Sequence, residues 1–227
     1  MDLSPENIRL MVVGLITLIL SIAVHEFGHA IVADRLGDRL PRLDGRVTLN
    51  PIAHADPIGT LALPILFMLF YGGGVGFGWG RPVRVQPAAF TRKLRMRTSH
   101  MLVAAAGPAM NILFAIVISL AWATLLWAGV ELNVHIQTGL RNAVFLNFIL
   151  AFFNLIPAPP LDGGTVLAGL LPDRMQRGYE EYAKYGIFVV LAFFIIPTLS
   201  IVFRWPAVQL YNLWAVDLLG LMRLPWA

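Results

Sequence analysis

Residues 10–33 read LMVVGLITLILSIAVHEFGHAIVA, an apolar run whose only ionisable residues are His25, Glu26 and His29. A helix needs about 20 mostly apolar residues to cross the hydrocarbon core of a bilayer, so this run predicts a membrane span. Residues four apart lie on one face of a helix, which brings the imidazoles of His25 and His29 to one point. Ionisable groups inside a span are costly, roughly 2.5 kcal/mol or more for a central charge on insertion scales. Such a cluster at metal-ligand spacing marks a site rather than an accident of packing.

Composition agrees with a membrane protein. The 227 residues are 58% hydrophobic and only 13% charged, where soluble domains carry about a quarter charged residues. That excludes an ordinary soluble enzyme, and a disordered chain would need low hydrophobicity. With Cys 0, disulfides, cysteine-type zinc sites and a cysteine nucleophile are excluded. Further spans are expected near 101–129, which carries no charge, near 142–170, whose only charge is Asp162, and near 185–203. Residues 58–80 are uncharged, but Pro64 interrupts them and their second half is glycine-rich, a poor helix. They read as a short helix followed by irregular backbone that re-enters, tolerated at membrane depth only where it is buried in protein or lines a wet cavity. Residues 205–222, with Gln209, Asn212, Asp217 and tryptophans, read as an interfacial helix or a fifth span.

The expected fold is therefore an all-α polytopic membrane protein. Residues 1–172 form a core of three helices with the re-entrant segment, and 173–227 add one or two further helices. The alternating, β-branched segments 46–50 and 81–85 suggest a small β-sheet at the cytoplasmic side.

The net charge of +4 has a membrane explanation. Arg81, Arg84, Arg92, Lys93, Arg95 and Arg97 follow one another with no acid between them, so their loop is cytoplasmic by the positive-inside rule. No basic stretch is interleaved with base-stacking aromatics, so nucleic acid is not an expected partner and the lipid bilayer is. If 58–80 re-enters, all the basic loops share one side. His25, His29 and Asp162 then meet at one depth, toward the cytoplasm.

His25-Glu26-Phe27-Gly28-His29 is a His-Glu-x-x-His motif. Two imidazoles can hold one zinc at about 2.0–2.1 Å, and the glutamate beside them suits a general base. Zinc polarises a carbonyl and lowers the pKa of water toward about 7, which peptide hydrolysis needs. A third ligand must come from elsewhere, with His54, Asp56, His100, His135 and Asp162 as candidates. Asp162-Gly163-Gly164 is also good turn chemistry.

These residues resemble the site-2 protease family of intramembrane zinc metalloproteases. The match rests on His25-Glu26-Phe27-Gly28-His29 and on Asn154-Leu155-Ile156-Pro157-Ala158-Pro159-Pro160-Leu161-Asp162-Gly163-Gly164, which fits the family's Asn-x-x-Pro-x-Pro-x-x-Asp-Gly signature. The resemblance covers roughly residues 10–172. It implies one zinc ion per chain, held by His25, His29 and Asp162, with Glu26 as the catalytic base. Asn154, His54 and Asn111 are candidates for orienting substrate or steadying the oxyanion, each weighed against a structural role. His100 and His135 read as interfacial. The implied substrate is a single-pass transmembrane protein, cut near the cytoplasmic face in regulated intramembrane proteolysis. The expected setting is a multi-pass protein of a prokaryotic plasma membrane, in the compact form without a PDZ or CBS domain. The competing reading is a catalytically silent zinc-binding scaffold of the same fold, against which Glu26 argues. The sequence leaves substrate identity and oligomeric state open.

Overall fold

The computed structural model describes residues 4–71 and 78–225. Helix α1 runs Pro5–Arg35 and is followed by the single turns α2 (Leu40–Leu43) and α3 (Pro51–His54). A wide π-helical turn over Pro57–Ala62 leads into α4 (Leu63–Tyr71). After an extended stretch comes α5 (Met96–Trp127), then α6 (Val134–Asn154), α7 (Asp162–Leu170), α8 (Asp173–Ala183), α9 (Gly186–Ile195) and α10 (Ile201–Tyr211), the last continuing into a π-helical turn at Asn212–Leu218. Ile8–Arg35, Met96–Trp127 and Val134–Asn154 are long and apolar enough to cross a membrane.

Helix α5 is the centre of the assembly because one of its faces is small. Ala104, Gly107, Asn111, Ala115, Ser119 and Ala123 recur every three or four residues and are all buried. Lipid offers no hydrophobic drive between helices, so close backbone approach through small residues holds them together. On the partner side, a β-carbon on Gly28 of α1 would stand 2.6 Å from the Ala106 carbonyl oxygen. Further along, Trp122, Phe148 and Tyr211 form a buried cluster joining α5, α6 and α10, and Trp214 donates to the Ser119 hydroxyl at 2.8 Å. Residues 205–222 are thus packed into the bundle over much of their length.

Two expected spans are broken in the structure. In place of one helix over 142–170, α6 ends at Asn154 and α7 begins at Asp162. Pro157, Pro159 and Pro160 explain the break, since proline lacks the N–H and crowds the preceding turn. In place of one helix over 185–203, α9 stops before Pro197 and the chain turns by 105° between Gly186–Ile195 and Pro197–Leu218.

Among the described residues there is no β-strand, so the small sheet expected from 46–50 and 81–85 is absent. The second segment is extended, but its amides are taken by other partners. Arg81 N–H donates to the His54 carbonyl at 2.9 Å, Val83 N–H to Glu26 Oε2 at 3.1 Å, and Gln86 N–H to buried Asp38 Oδ2 at 2.6 Å. Within 58–80, Trp79 N–H donates to Gly59 O at 3.1 Å and Thr60 Oγ1 donates to Trp79 O at 2.8 Å. The two ends of this segment therefore meet, although 72–77 lie outside the described residues.

Candidate metal centre

Late in α1, His25 and His29 point the same way, with their Nε2 atoms 3.1 Å apart. Asp162, the first residue of α7, reaches them from the far side of the bundle. Its Oδ2 stands 3.1 Å from His25 Nε2 and its Oδ1 3.4 Å from His29 Nε2. One ligand atom from each residue lies within 4.8 Å of the others. Ligands held tetrahedrally at about 2.0–2.1 Å stand about 3.3 Å apart, close to these separations.

The hydrogen bonds behind the imidazoles decide what the cluster can hold. His29 Nδ1 is 2.8 Å from the Val103 carbonyl oxygen, which can only accept, so Nδ1 carries the proton. His25 Nδ1 is 2.7 Å from Asn111 Oδ1, again an acceptor. With Nδ1 protonated on each ring, the two Nε2 atoms are the ones that face each other and the Asp162 carboxylate. Although His25 is near it, the buried Asp162 Oδ2 receives no aligned hydrogen bond. Three acceptors facing one another are satisfied by a cation. Two imidazoles and a carboxylate suit zinc, so the residues present fit the metal.

Asp162 is held firmly from outside the bundle. A β-carbon on Gly163 would run into the carbonyls of Leu155 and Ile156, and one on Gly164 would stand 2.7 Å from Pro159 N. Glycine at both positions lets α7 start tight against the proline-rich turn. Helix α8 clamps both sides of Asp162: Tyr179 Oη donates to Gly164 O in the first turn of α7 at 2.7 Å, and Tyr182 Oη to Pro157 O in the proline-rich turn at 2.8 Å.

Glu26 faces a cavity of about 950 Å³ that the metal cluster also borders. Its walls include Leu18, Ile22, Leu146, Ile149, Phe153 and Phe194, an apolar surface suited to side chains of a transmembrane segment. The extended stretch at Gly80 lies so close to α1 that a β-carbon there would be 2.5 Å from Ile22 Cγ2 and 3.4 Å from Glu26 Cγ. Arg46, only 6% exposed, fastens that stretch by donating to the carbonyls of Ala53 and Arg81. Burial, and then the charge of Arg81, pull its guanidinium pKa below the ordinary value, with Glu26 opposing the shift.

The structure brings together His25, His29 and Asp162, with Glu26 beside them. Asn154 lines the cavity, with one amide hydrogen given to Leu150 O at 2.9 Å. Asn111 borders the cavity too, but both its amide hydrogens are committed to Ser21 O and Asn147 Oδ1 and its oxygen to His25. It has no donor left for an oxyanion, so its expected place among oxyanion candidates gives way to a place behind His25. His54 is fully buried behind the extended stretch, with Nε2 bonded to Thr48 O at 2.8 Å, and is not among the cavity-lining residues. His100, expected at the interface, lines the cavity. It lies on the α5 face that carries Ala104, Gly107 and Asn111, and that spacing was its available signal. The Val103 carbonyl and Val83 amide had no signal at all, because main-chain groups look alike in every sequence.

The family described as Peptidase family M50 matches residues 13–141 and 129–197. The "Putative zinc metalloprotease YwhC" of Bacillus subtilis is 36% identical over 203 residues, covering 88% of this chain and 87% of the relative. The "Putative zinc metalloprotease Rip2" of Mycolicibacterium smegmatis is 31% identical over 202 residues, 89% of this chain and 72% of the relative. A more distant relative, "Zinc metalloprotease MJ0392" of Methanocaldococcus jannaschii, is 26% identical over 169 residues, 74% of this chain and 37% of the relative. No solved structure matches. The fold and site define a membrane-embedded helical protein with a cluster of two histidines and an aspartate that could hold a metal ion. The chain belongs to peptidase family M50, the site-2 protease family.

Proposed function

We propose that this chain is an intramembrane zinc endopeptidase. It would hydrolyse peptide bonds of single-pass transmembrane proteins near the cytoplasmic face, in regulated intramembrane proteolysis at a prokaryotic plasma membrane. The carrying observation is the convergence of three ligand lone pairs, with Glu26 beside them, on an apolar cavity between helices long enough to span a bilayer. The meeting of Gly59 and Thr60 with Trp79 supports re-entry of 58–80, and hence a cytoplasmic site. In this reading His25, His29 and Asp162 hold one zinc ion, and when bound the metal polarises the scissile carbonyl and makes water more acidic.

Glu26 supplies the proton transfers. It takes a proton from the attacking water as the water oxygen adds to the carbonyl carbon. It returns that proton to the amide nitrogen as the C–N bond breaks, leaving a carboxyl and an amine. The Val83 N–H fixes Glu26 Oε2, which holds the carboxylate in one rotamer. Asn154, at the cavity wall, orients the substrate backbone or donates to the developing oxyanion. A helical substrate hides its peptide bonds, so cleavage requires an extended stretch, and backbone beside the site can pair with it by strand addition. Residues 81–85 run beside Glu26 and suit that role.

A silent zinc-binding scaffold would keep the ligands without needing Glu26. The test compares wild type, Glu26→Gln and Asp162→Ala purified in detergent, with zinc measured by elemental analysis and cleavage measured on a transmembrane substrate. The protease reading expects Glu26→Gln to keep zinc and lose cleavage, and Asp162→Ala to lose zinc. Cleavage that survives Glu26→Gln on every substrate it cuts would favour another base, and a wild type that cuts nothing would favour the scaffold.

A further inference from the structure

Asn147, in the middle of α6, is fully buried inside the bundle together with Asn111 and Ser21. A buried amide in an apolar span must find partners or cost the full desolvation of its polar atoms, about 1–3 kcal/mol each. Its Nδ2 donates to Ala143 O at 2.9 Å, and its Oδ1 accepts from Asn111 Nδ2 at 2.9 Å. Neither bond goes to His25, Glu26, His29 or Asp162, and the metal-site reading leaves Asn147 unused.

The order of donors and acceptors along this chain of amides is forced at both ends. A main-chain carbonyl can only accept, so the side of Asn147 facing Ala143 O must be its NH2, and the side facing Asn111 must be its oxygen. The side of Asn111 facing Ser21 O, at 3.1 Å, must likewise be its NH2, because an oxygen there would oppose another oxygen. Both hydrogens of the Asn111 NH2 are then used, one on Ser21 O and one on Asn147 Oδ1. Its own oxygen is left to face His25 Nδ1 at 2.7 Å. That oxygen demands a proton on Nδ1 and leaves Nε2 bare toward Asp162 and His29. Groups behind a metal-binding histidine fix its tautomer and ring orientation in this way.

We propose that Asn147 is a positioning residue for the metal centre, acting through Asn111 to hold His25 as its Nδ1–H tautomer. The proposal rests on the metal-site reading and adds a residue two hydrogen bonds removed from it. It also links α6 to α1: the helix that leads into the turn before Asp162 sets the protonation pattern of the opposing ligand. Loss of the Asn147 oxygen leaves one buried hydrogen of Asn111 without an acceptor. The Asn111 amide is then held on its NH2 side by the 3.1 Å bond to Ser21 O alone, so its oxygen faces His25 Nδ1 less firmly and the preference for the tautomer with a bare Nε2 weakens.

The test is a double-mutant cycle on zinc affinity, measured by chelator competition on the full chain in detergent for wild type, Asn147→Leu, Asn111→Leu and the double variant. Asn147→Leu is expected to weaken zinc binding about tenfold, within the range seen for groups behind metal ligands. In the Asn111→Leu background it is expected to cost nothing further, since its route to His25 is already cut. Unchanged affinity in Asn147→Leu, or an equal loss in both backgrounds, overturns the proposal, because a packing role alone would add. A second measurement needs no variant: ¹⁵N-histidine NMR of the zinc-loaded wild type should show a protonated Nδ1 at His25, and a bare Nδ1 there overturns the proposal as well. The two readings fail differently. Wild type that binds no zinc removes the metal centre and this proposal with it, while wild type that binds zinc as tightly as Asn147→Leu removes this proposal alone.

Discussion

Gly107 on α5 lies directly against the ring of His29 on α1: a β-carbon on Gly107 would meet the His29 imidazole at Nε2 and stand 2.5 Å from its Cε1. The same β-carbon would be 2.7 Å from His25 Cε1. The missing side chain is therefore part of the candidate metal centre, because a glycine lets α5 close over both imidazoles.

Gly107→Ala should displace the two rings and weaken zinc binding by about ten- to a hundredfold, the scale of disturbances next to metal ligands. Alanine is the better helix former by roughly 0.8–1.0 kcal/mol, so the fold itself need not suffer. Chelator competition reads the affinity and a thermal melt of the zinc-free chain reads the fold. Zinc affinity equal to wild type would mean the rings move aside freely.

Val83→Pro removes the N–H that Glu26 Oε2 accepts at 3.1 Å while leaving His25, His29 and Asp162 untouched. Cleavage of a transmembrane substrate should fall at least tenfold, with zinc content unchanged, since a misplaced general base forfeits part of a contribution of about 10²–10⁴. Normal cleavage would separate Glu26 from the extended segment and remove that segment from the mechanism.

Tyr182→Phe deletes a hydroxyl that clamps the turn leading to Asp162, and Tyr179→Phe one that clamps the first turn of α7 just after it. Each single change should lower stability by about 1 kcal/mol, the net worth of a hydrogen bond. The double variant should release zinc faster in a chelator-chase experiment, because Asp162 is the proposed ligand that the clamped segment delivers. A zinc release rate equal to wild type would assign both hydroxyls to stability alone.

Asp173, at the start of α8, bonds to the Arg97 guanidinium, which holds its carboxyl below the usual carboxylate range. Arg97 also donates to Leu171 O at 2.8 Å, so the pair ties α5 to the α7–α8 corner. A lowered pKa in the folded state contributes stability above the unfolded value and loses it as pH falls through the folded value. Melting of wild type and Asp173→Asn should therefore differ at neutral pH and converge in acid. The difference should be small because the pair is exposed. A gap that widens as pH falls would contradict this assignment.

The separate α7 was hidden by hydropathy. Residues 142–170 are apolar enough to read as one span, and averaging over a window does not register that three prolines interrupt the donors of the helix ladder. The same blindness affected 185–203, where Pro197 turns the chain by 105°. The expected sheet failed for a different reason. Residues 81–85 did become extended, but their amides found His54 O and the Glu26 carboxylate, and alternation of residue types does not reveal the partner of a backbone donor.

What the sequence determined alone was the membrane character and the helical class, which rest on apolar runs of bilayer length. The i, i+4 spacing of His25 and His29 around Glu26 marked a candidate metal site, while the choice of Asp162 as third ligand came from the resemblance to the family. Tertiary structure decided which groups stand behind the ligands. Asn111 became a partner of His25 rather than an oxyanion donor, His54 was buried behind the extended stretch, and Gly107 and Asn147 acquired their places only when α5 packed between α1 and α6. An amide or a missing side chain takes its role from what faces it, and what faces it here lies 36 to 90 residues away along the chain.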